Sequence, residues 1–150
     1  MLTFRDITER DRDVVIPMVQ TFYKTDAVDH PVPLEIIQRS FSAVIDQEEP
    51  LLRGVLVVQD GQVAGYLYLS PFYSAEMGGR CVMIEEIFFL LEFRGQGLGR
   101  KALAWLQEEY PEAKRFRLEV TQGNPRAAEL YRRCGFQWLN YRQMVLDRAE

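Results

Sequence analysis

One stretch of the sequence decides the fold: Ile84-Glu85-Glu86-Ile87-Phe88-Phe89-Leu90-Leu91-Glu92-Phe93-Arg94-Gly95-Gln96-Gly97-Leu98-Gly99-Arg100. It opens as an apolar run long enough for a buried strand and ends in glycines at alternate positions. The residues that follow, from Lys101 to Glu109, are mostly strong helix formers, so the pattern predicts a strand that turns through glycines into a helix. Such a turn leaves backbone N–H groups free at the positive end of the helix dipole, which favours a bound phosphate.

The composition is that of one ordinary folded domain. The chain has 150 residues and a formal net charge of −4, which predicts a single domain over 1–150, argues against a nucleic-acid surface and tolerates a cationic substrate. No apolar run approaches the roughly 20 residues of a membrane span, and the first residues lack a signal-peptide pattern. Cys81 and Cys134 lie in apolar segments, so we predict free thiols in a cytoplasmic protein without membrane contact. The single histidine, His30, argues against a bound metal.

The first half of the chain predicts a strand, two helices and a hairpin. Two helical apolar faces follow a short first strand; they are made by Val14, Val15, Met18, Val19 and Phe22 and by Leu34, Ile37, Phe41, Val44 and Ile45. Asp60-Gly61 between two apolar runs is typical of a β-hairpin. The segment Pro71–Arg80 is predicted to be a loop that leads into the central strand.

The second half predicts two more helices, each preceded by a strand. Asn124 followed by Pro125 marks the start of the last helix, because asparagine is a good N-cap and proline suits the first helical position. Residues 136–139 and 141–146 are predicted as two short closing strands. The predicted order is β-α-α-β-β-β-α-β-α-β-β, an α/β (α+β) fold with a mixed, mostly antiparallel twisted sheet and helices on both faces.

This order, together with several local patterns, resembles the GNAT superfamily of acetyl-CoA-dependent N-acetyltransferases. That family's signature at the strand-to-helix turn is Q/R-x-x-G-x-G/A, matched here by Arg94, Gly97 and Gly99. Further along, Leu118-Glu119-Val120, Asn124, Tyr131 and Gly135-Phe136 also resemble the family. The resemblance implies that the glycine turn holds the pyrophosphate of acetyl-CoA as a co-substrate.

Other interpretations of the glycine turn fit less well. A nucleoside-triphosphate P-loop is excluded, because no Lys-Ser/Thr pair follows the last glycine. A Rossmann dinucleotide fold is a real competitor, since residues 97–102 satisfy G-x-G-x-x-A and Glu119 ends the next strand where a ribose-binding acid would lie. In that fold the turn follows the first parallel strand, whereas here a hairpin precedes it and barely one βα unit follows. The acetyltransferase interpretation is therefore favoured over the dinucleotide one.

The predicted coenzyme contacts are largely main-chain groups. The turn supplies N–H groups for the pyrophosphate, and Arg94 adds a cation. The resemblance implies that the backbone of the central strand runs along the pantetheine arm, with an N–H near Phe89 polarising the acetyl carbonyl, while the side chains of Ile87 and Phe89 are expected to pack in the core. The full predicted set is Ile87, Phe88, Phe89, Arg94, Gly95, Gln96, Gly97, Leu98, Gly99, Arg100 and Asn124.

Tyr131 is the predicted general acid. A phenol with a pKa of about 10 is protonated at neutral pH and can donate to a departing thiolate with a pKa of about 8.5. A helical tyrosine taken alone is more often a packing residue, but its spacing of seven residues from Asn124 matches the family. The small residues Ala127 and Ala128, one turn earlier, leave room for a sulfur atom.

The general base is predicted among three carboxylates. Glu85 and Glu86 are adjacent on a strand, so they should point to opposite faces, and Glu85 shares the parity of Ile87 and Phe89. The alternative for these residues is a structural salt bridge to an arginine such as Arg80 or Arg117. In the polyamine-acetylating branch of the family a similar acidic pair handles the cationic amine, and peptide-acetylating members carry a glutamate at the place of Glu119. We rank Glu85 first, Glu119 second and Glu86 third.

These features predict direct transfer of acetyl from acetyl-CoA to a primary amine of a small, cationic acceptor. Acetyl transfer through Cys134 is disfavoured, because no histidine lies nearby in sequence to activate it. Phe72, Tyr73 and His30 are the predicted walls of the acceptor site. The alternatives are acetylation of a protein N-terminus or lysine and, in another class, a non-catalytic coenzyme A-binding regulatory module. A homodimer is a hypothesis carried only by analogy with the family.

Overall fold

A computed structural model describes residues 1–148 of the chain. Its sheet has five strands: β1 (Leu2–Asp6), β2 (Arg53–Gln59), β3 (Gln62–Ser74), β4 (Gly79–Phe89) and β5 (Phe116–Leu118). The α-helices are α1 (Arg12–Phe22), α2 (Leu34–Ile45), α3 (Leu98–Glu109) and α4 (Pro125–Arg133). Two 3-10 helices, Glu9–Asp11 and Leu91–Phe93, precede α1 and the glycine turn. No helix in this described part of the chain is long and apolar enough to cross a membrane.

The strands lie side by side in chain order. Strands β1 to β4 are antiparallel to their neighbours, and β5 runs parallel to β4. The turn between β2 and β3 has both central residues in the left-handed region, with φ of 52° at Asp60 and 80° at Gly61. A turn of that kind matches the twist of the flanking strands, so the predicted hairpin is confirmed.

The loop predicted over Pro71–Arg80 is mostly strand, and that prediction is wrong. Strand β3 continues to Ser74 and β4 begins at Gly79, which leaves only residues 75–78 as a turn. Phe72 and Tyr73 are good strand formers, and they continue the ladder with β4 past Pro71. Proline lacks an N–H group, but it does not end a strand whose neighbours remain paired.

The helices cover both faces of the sheet, as predicted. One face packs against α1 and α2, with buried side chains that include Val15, Met18, Phe22, Ile37, Phe41, Tyr66, Tyr68 and Phe88. The other packs mainly against α3, with Val55, Val57, Leu67, Leu69, Val82, Ile84, Leu98, Leu103 and Leu106. Val14 and Leu34, predicted as core residues, are exposed because each lies at the edge of its helix's apolar stripe.

The two closing strands predicted at 136–139 and 141–146 are absent from the sheet. Residues 136–148 have no strand pairing, and within the described part of the chain β5 has a neighbour on one side only. The local sequence favours extended backbone, but a strand also needs a partner to hydrogen-bond, and residues 137–148 are exposed instead.

Candidate active site

The predicted strand–glycine turn–helix is present at the carboxyl end of β4. Gly97 is the N-cap of α3, with φ of +76°, and Gly95 has φ of +77°. A Cβ added at either glycine would meet no atom within 4 Å, so both face open space. The first helical bond runs from Lys101 N–H to Gly97 O at 3.1 Å, which leaves the N–H groups of residues 98–100 without partners inside the helix.

A cavity of about 370 Å³ lies against this turn, between the end of β4 and α4. Its lining combines apolar side chains with four arginines: Ile87, Phe89, Phe93, Arg94, Gly95, Gly97, Leu98, Gly99, Arg100, Asn124, Arg126, Ala127, Leu130, Tyr131 and Arg133. The Asn124 side chain also caps α4, because its Oδ1 accepts from Ala127 N–H at 3.3 Å. Free helix N–H groups and guanidinium groups around one hollow suit a phosphorylated ligand.

Strand β4 presents unpaired main-chain groups to this cavity. Leu90 N–H donates to Ala64 O at 2.8 Å. Bonded and non-bonded pairs alternate along an antiparallel ladder, so the N–H and C=O groups of Ile87 and Phe89 point away from β3. Arg94 Nε donates to Phe89 O at 2.9 Å, which secures the end of the strand and leaves the N–H groups available to a ligand.

Strands β4 and β5 are paired only over Val82–Ile84 and Phe116–Leu118. Glu85 and Glu119 are the first residues beyond the paired stretch on their two strands. Partial desolvation raises the pKa of Glu85, and repulsion from the Glu119 carboxylate raises it further. The structure therefore brings the first two candidate bases to one place, where the two strands cease to pair.

Glu85 was preferred because it should share the strand parity of Ile87 and Phe89, and that reason is wrong. Glu85 nevertheless lies beside Glu119, where β4 and β5 cease to pair. Strand β4 skips one residue against β3 between Ile84 and Glu86, so Glu85 is the extra residue of a β-bulge. Ile84, Ile87 and Phe89 all pack on the α3 side of the sheet, which strict alternation would forbid. A bulge redirects a side chain, and Glu85 is exposed rather than in line with Ile87.

Glu86 lies on the other face of the sheet, between α1 and β3. Tyr66 donates to its Oε1 at 2.7 Å and Tyr23 to its Oε2 at 2.5 Å. Burial raises the pKa of Glu86, and the two hydrogen bonds oppose that change without cancelling it. The buried Tyr68 hydroxyl has no hydrogen-bond partner among residues 1–148. Glu86 is thus held by phenol donors, and not by the salt bridge to an arginine that was the alternative to a catalytic role.

Tyr131 forms the boundary between two cavities. It lines the cavity at the glycine turn and also a larger groove of about 730 Å³ along β5, which Glu119 lines as well. Its ring packs against Phe136, with centroids 5.8 Å apart. Burial raises the pKa of Tyr131 to about 12, so its hydroxyl is protonated at neutral pH.

The predicted acceptor walls are only partly assembled. Phe72 lies under the Arg117 guanidinium at 5.9 Å, whereas Tyr73 and His30 are exposed. The segment after β5 meets the α1–α2 loop, where Thr121 Oγ1 donates to Asp26 O. Among residues 1–148 no group of three His, Cys, Asp or Glu side chains is placed to hold a metal ion.

Comparison with known proteins identifies the family. Residues 17–136 match the family described as Acetyltransferase (GNAT) family, which is most of the chain. The chain belongs to the GNAT family. It is therefore an acetyl-CoA-dependent N-acetyltransferase, as predicted, and the dinucleotide-binding alternative is excluded.

Relatives of this acetyltransferase include enzymes named for small amines. Thialysine N-epsilon-acetyltransferase of Mus musculus is 27% identical over 154 residues, covering 92% of this chain and 89% of that protein. "Probable spermine N(1)-acetyltransferase" of Bacillus subtilis subsp. natto is 32% identical over 84 residues, 53% of this chain and 55% of that protein. The crystal structure of an aminoglycoside N-acetyltransferase in complex with CoA has a TM-score of 0.77 at 14% identity, covering 99% and 96% of the two chains, which shows the shared fold.

The residues around the cavity of this acetyltransferase fit a coenzyme A thioester, with some differences from the predicted set. The side chain of Phe88 is buried on the α1–α2 face, and Gln96 is exposed with its Nε2 donating to Glu92 O at 3.4 Å, so neither lines the cavity. Sequence reasoning missed Arg126 and Arg133. Their spacing of seven residues on α4 puts them on one helix face, and that pattern was the available signal.

Proposed function

We propose that this acetyltransferase moves acetyl directly from acetyl-CoA to a primary amine of a small cationic acceptor. One observation carries the proposal: a single cavity joins an arginine-lined glycine turn to Tyr131 and the free edge of β4, beside the place where Glu85 and Glu119 meet. An anionic coenzyme suits the end of the cavity lined by arginines, and an ammonium group suits the end beside the two carboxylates.

In the proposed reaction, the chain's own groups act on the two reacting centres. Glu85 takes a proton from the acceptor ammonium, and the neutral amine attacks the thioester carbonyl while an N–H of Ile87 or Phe89 stabilises the oxygen. The C–S bond then breaks as Tyr131 gives its proton to the leaving sulfur, which ends as the free thiol of coenzyme A. The second proton on the attacking nitrogen passes to the tyrosyl oxygen, and Glu85 releases the first proton to solvent.

The preference for a cationic acceptor rests on charge. Two carboxylates, Glu85 and Glu119, lie at the end of the paired strands, and repulsion between them makes a neighbouring cation favourable. The names of the mouse and Bacillus relatives, a thialysine and a spermine acetyltransferase, agree with such an acceptor.

A screen of amines with acetyl-CoA, followed by the release of free thiol, tests the proposal. We expect the largest kcat/KM for polyamines and for side-chain amines of lysine analogues, and much smaller values for anionic amino acids. Turnover confined to peptides with a free N-terminus or an internal lysine would favour protein acetylation instead. Tight coenzyme binding with no turnover on any amine would favour the regulatory module.

A matched control separates charge from size. Each diamine should be compared with the monoamine of equal chain length, which keeps the attacking amine and removes the second charge. If both react equally well, the carboxylates do not select the acceptor by charge, and the proposed specificity is wrong.

A further inference from the structure

Four arginines line the cavity at the glycine turn, and they come from two different parts of the chain. Arg94 and Arg100 lie on either side of the turn, whereas Arg126 and Arg133 lie on α4. Among residues 1–148, no Asp or Glu side chain lines this cavity. The chain has a net charge of −4, so a hollow lined by cations and by no carboxylate indicates a site for a strongly anionic ligand.

Arg126 and Arg133 share one face of α4, and Leu130 lies between them on that face. The Leu130 side chain packs against the turn, since a Cβ added at Gly99 would lie 3.1 Å from its Cδ2. The two arginines therefore lie on either side of the contact between α4 and the start of α3. Both are exposed, so their guanidinium groups can reach a ligand seated at the turn.

The protein itself does little to neutralise these two arginines. Glu129 is held by Arg132, which donates to its two carboxylate oxygens at 3.1 and 2.9 Å. Arg133 Nε lies 3.9 Å from Glu129 Oε1, at the outer limit of an ion pair. Arg126 forms no ion pair within the described residues. A guanidinium group without a close carboxylate keeps its fork of donors free for a phosphate.

Coenzyme A carries two phosphate groups of different chemistry. One is the pyrophosphate that joins its two halves, and the other is a phosphomonoester on its ribose, called the ribose phosphate below. The turn offers the N–H groups of residues 98–100 to the pyrophosphate. Arg94 is partly engaged already, because its Nε donates to Phe89 O at 2.9 Å. The groups at the turn thus suit the pyrophosphate, and the two arginines of α4 remain for a second anion.

We propose that Arg126 and Arg133 bind the ribose phosphate, so that this acetyltransferase selects acetyl-CoA over acetyl-dephospho-CoA, which lacks only that group. Arginine suits this role, because its planar fork of donors matches the oxygens of a phosphate. The inference rests on acetyl-CoA as the acetyl donor of the proposed reaction, and it does not depend on which amine is acetylated.

Binding of the donor in the absence of an amine tests the assignment, measured by isothermal titration calorimetry. The wild-type protein should bind acetyl-CoA at least about 10-fold more tightly than acetyl-dephospho-CoA, because a hydrogen bond to a charged group contributes about that factor. Arg126→Gln/Arg133→Gln should reduce this preference to about 2-fold or less and leave the affinity for acetyl-dephospho-CoA nearly unchanged. Each single substitution should remove part of the preference.

Lys101→Gln is the control for a general effect of charge. Lys101 is an exposed cation next to Arg100 that does not line the cavity, and its replacement should keep the wild-type preference. Three results would overturn the proposal. The wild type could bind both donors equally, the double variant could lose the same affinity for both, which would place the two arginines at the pyrophosphate, or Lys101→Gln could lose as much preference as Arg126→Gln.

The pH dependence of the preference identifies which phosphate the arginines bind. A phosphomonoester loses its second proton with a pKa of about 6, whereas a diester pyrophosphate has no such ionisation. The preference of the wild type for acetyl-CoA should therefore increase from about pH 5 to about pH 7 and stay flat in the double variant. A flat wild-type profile would contradict the proposal. Absence of turnover on every amine would contradict the proposed reaction and leave these affinities as they are.

Discussion

Strand β4 has two halves that differ in what lies along its outer edge. From Gly79 to Ile84 the strand pairs with β3, and over Val82–Ile84 it also pairs with β5 on its other side. From Glu85 to Phe89 it has β3 on one side and a cavity on the other. In the paired half the main-chain groups hydrogen-bond within the sheet, whereas in the unpaired half the N–H groups of Ile87 and Phe89 have no strand partner.

The difference explains why the proposed catalytic groups gather beside one half of the strand only. A buried main-chain group without a partner is unfavourable, so an interrupted ladder persists where something else binds there. The β-bulge at Glu85 lies at the boundary of the two halves, and it places a carboxylate next to Glu119. The unpaired half is therefore the place where substitutions should alter catalysis, and the paired half is where they should alter stability.

Tyr131→Phe, a change on α4 beside the unpaired half of β4, should have the largest effect on turnover. The hydroxyl is proposed to act when the C–S bond breaks, so kcat should fall by about 10²–10⁴-fold while KM for acetyl-CoA changes little. Pre-steady-state and steady-state kinetics at saturating acetyl-CoA measure this. Tyr110→Phe is the matched control: its hydroxyl lies 3.1 Å from Arg53 Nη1, away from the cavity, and its loss should leave kcat unchanged.

Acyl donors with different leaving thiols give a second test of the role of the Tyr131 hydroxyl. A donor whose thiol has a lower pKa needs less assistance, so the defect of Tyr131→Phe should shrink with that donor. Wild-type turnover with acetyl-CoA under rate-limiting chemistry would remove Tyr131 from the mechanism. Loss of affinity without loss of kcat would make it a binding residue.

Glu85→Gln should lower kcat/KM by about 10²-fold or more if Glu85 is the base. A base acts when deprotonated, and the pKa of Glu85 is raised, so wild-type kcat/KM should increase with pH through that raised value. The variant should lose this part of the pH profile and keep acetyl-CoA affinity. Met83→Leu, a similar-sized change in the paired half, should be nearly silent. An active Glu85→Gln enzyme with an inactive Glu119→Gln enzyme would transfer the role to Glu119.

Gly97→Ala should weaken acetyl-CoA binding by more than its effect on the fold. Gly97 and Gly61 have φ of +76° and +80°, and a Cβ at either would meet no atom within 4 Å. Alanine at each position should therefore destabilise the protein similarly, by about 1–2 kcal/mol. Only Gly97→Ala places a methyl group in the cavity, so it alone should reduce the rise in Tm caused by acetyl-CoA. If Gly61→Ala reduced the acetyl-CoA-dependent rise in Tm as much as Gly97→Ala does, the turn would not be the coenzyme site.

Much of this architecture could be predicted because local patterns and tertiary packing agree. Asp60-Gly61 gave the hairpin, the glycine turn gave the start of α3, and Asn124-Pro125 gave the start of α4. Each of these patterns acts through backbone geometry that only a few residue types tolerate. Where that holds, the sequence is enough to position the element.

Two of the failures share one physical cause, which is pairing between distant strands. The bulge at Glu85 depends on how β4 aligns with β3, and nothing in the sequence of β4 alone reveals it. The strands predicted after α4 have the right residues but no partner among residues 1–148. Arg126 and Arg133 were missed for another reason: their spacing puts them on one helix face, but α4 meets the cavity only once the sheet has formed.

Two neighbouring tyrosines should affect stability and leave catalysis unchanged, and they decide whether Glu86 is structural. Tyr66 and Tyr68 lie on the same face of β3 and are fully buried, with ring centroids 5.0 Å apart, so replacement by phenylalanine keeps the packing of both. Tyr66 donates to Glu86, and hydrogen bonds to charged groups contribute about 1.5–3 kcal/mol, so Tyr66→Phe should lower the free energy of unfolding by about that amount.

Tyr68→Phe should instead be neutral or slightly stabilising, by up to about 1 kcal/mol, because its buried hydroxyl has no partner among the described residues. Urea unfolding at several pH values measures both variants. The folded-state pKa of Glu86 is raised above its unfolded value, so its contribution is fully present below the unfolded pKa and is lost as pH rises through the folded pKa. Tyr66→Phe removes a donor to the carboxylate, raises that pKa further and should widen the pH range of this loss, whereas Tyr68→Phe should leave it unchanged. Equal destabilisation by both variants would mean that the Tyr68 hydroxyl also supports Glu86.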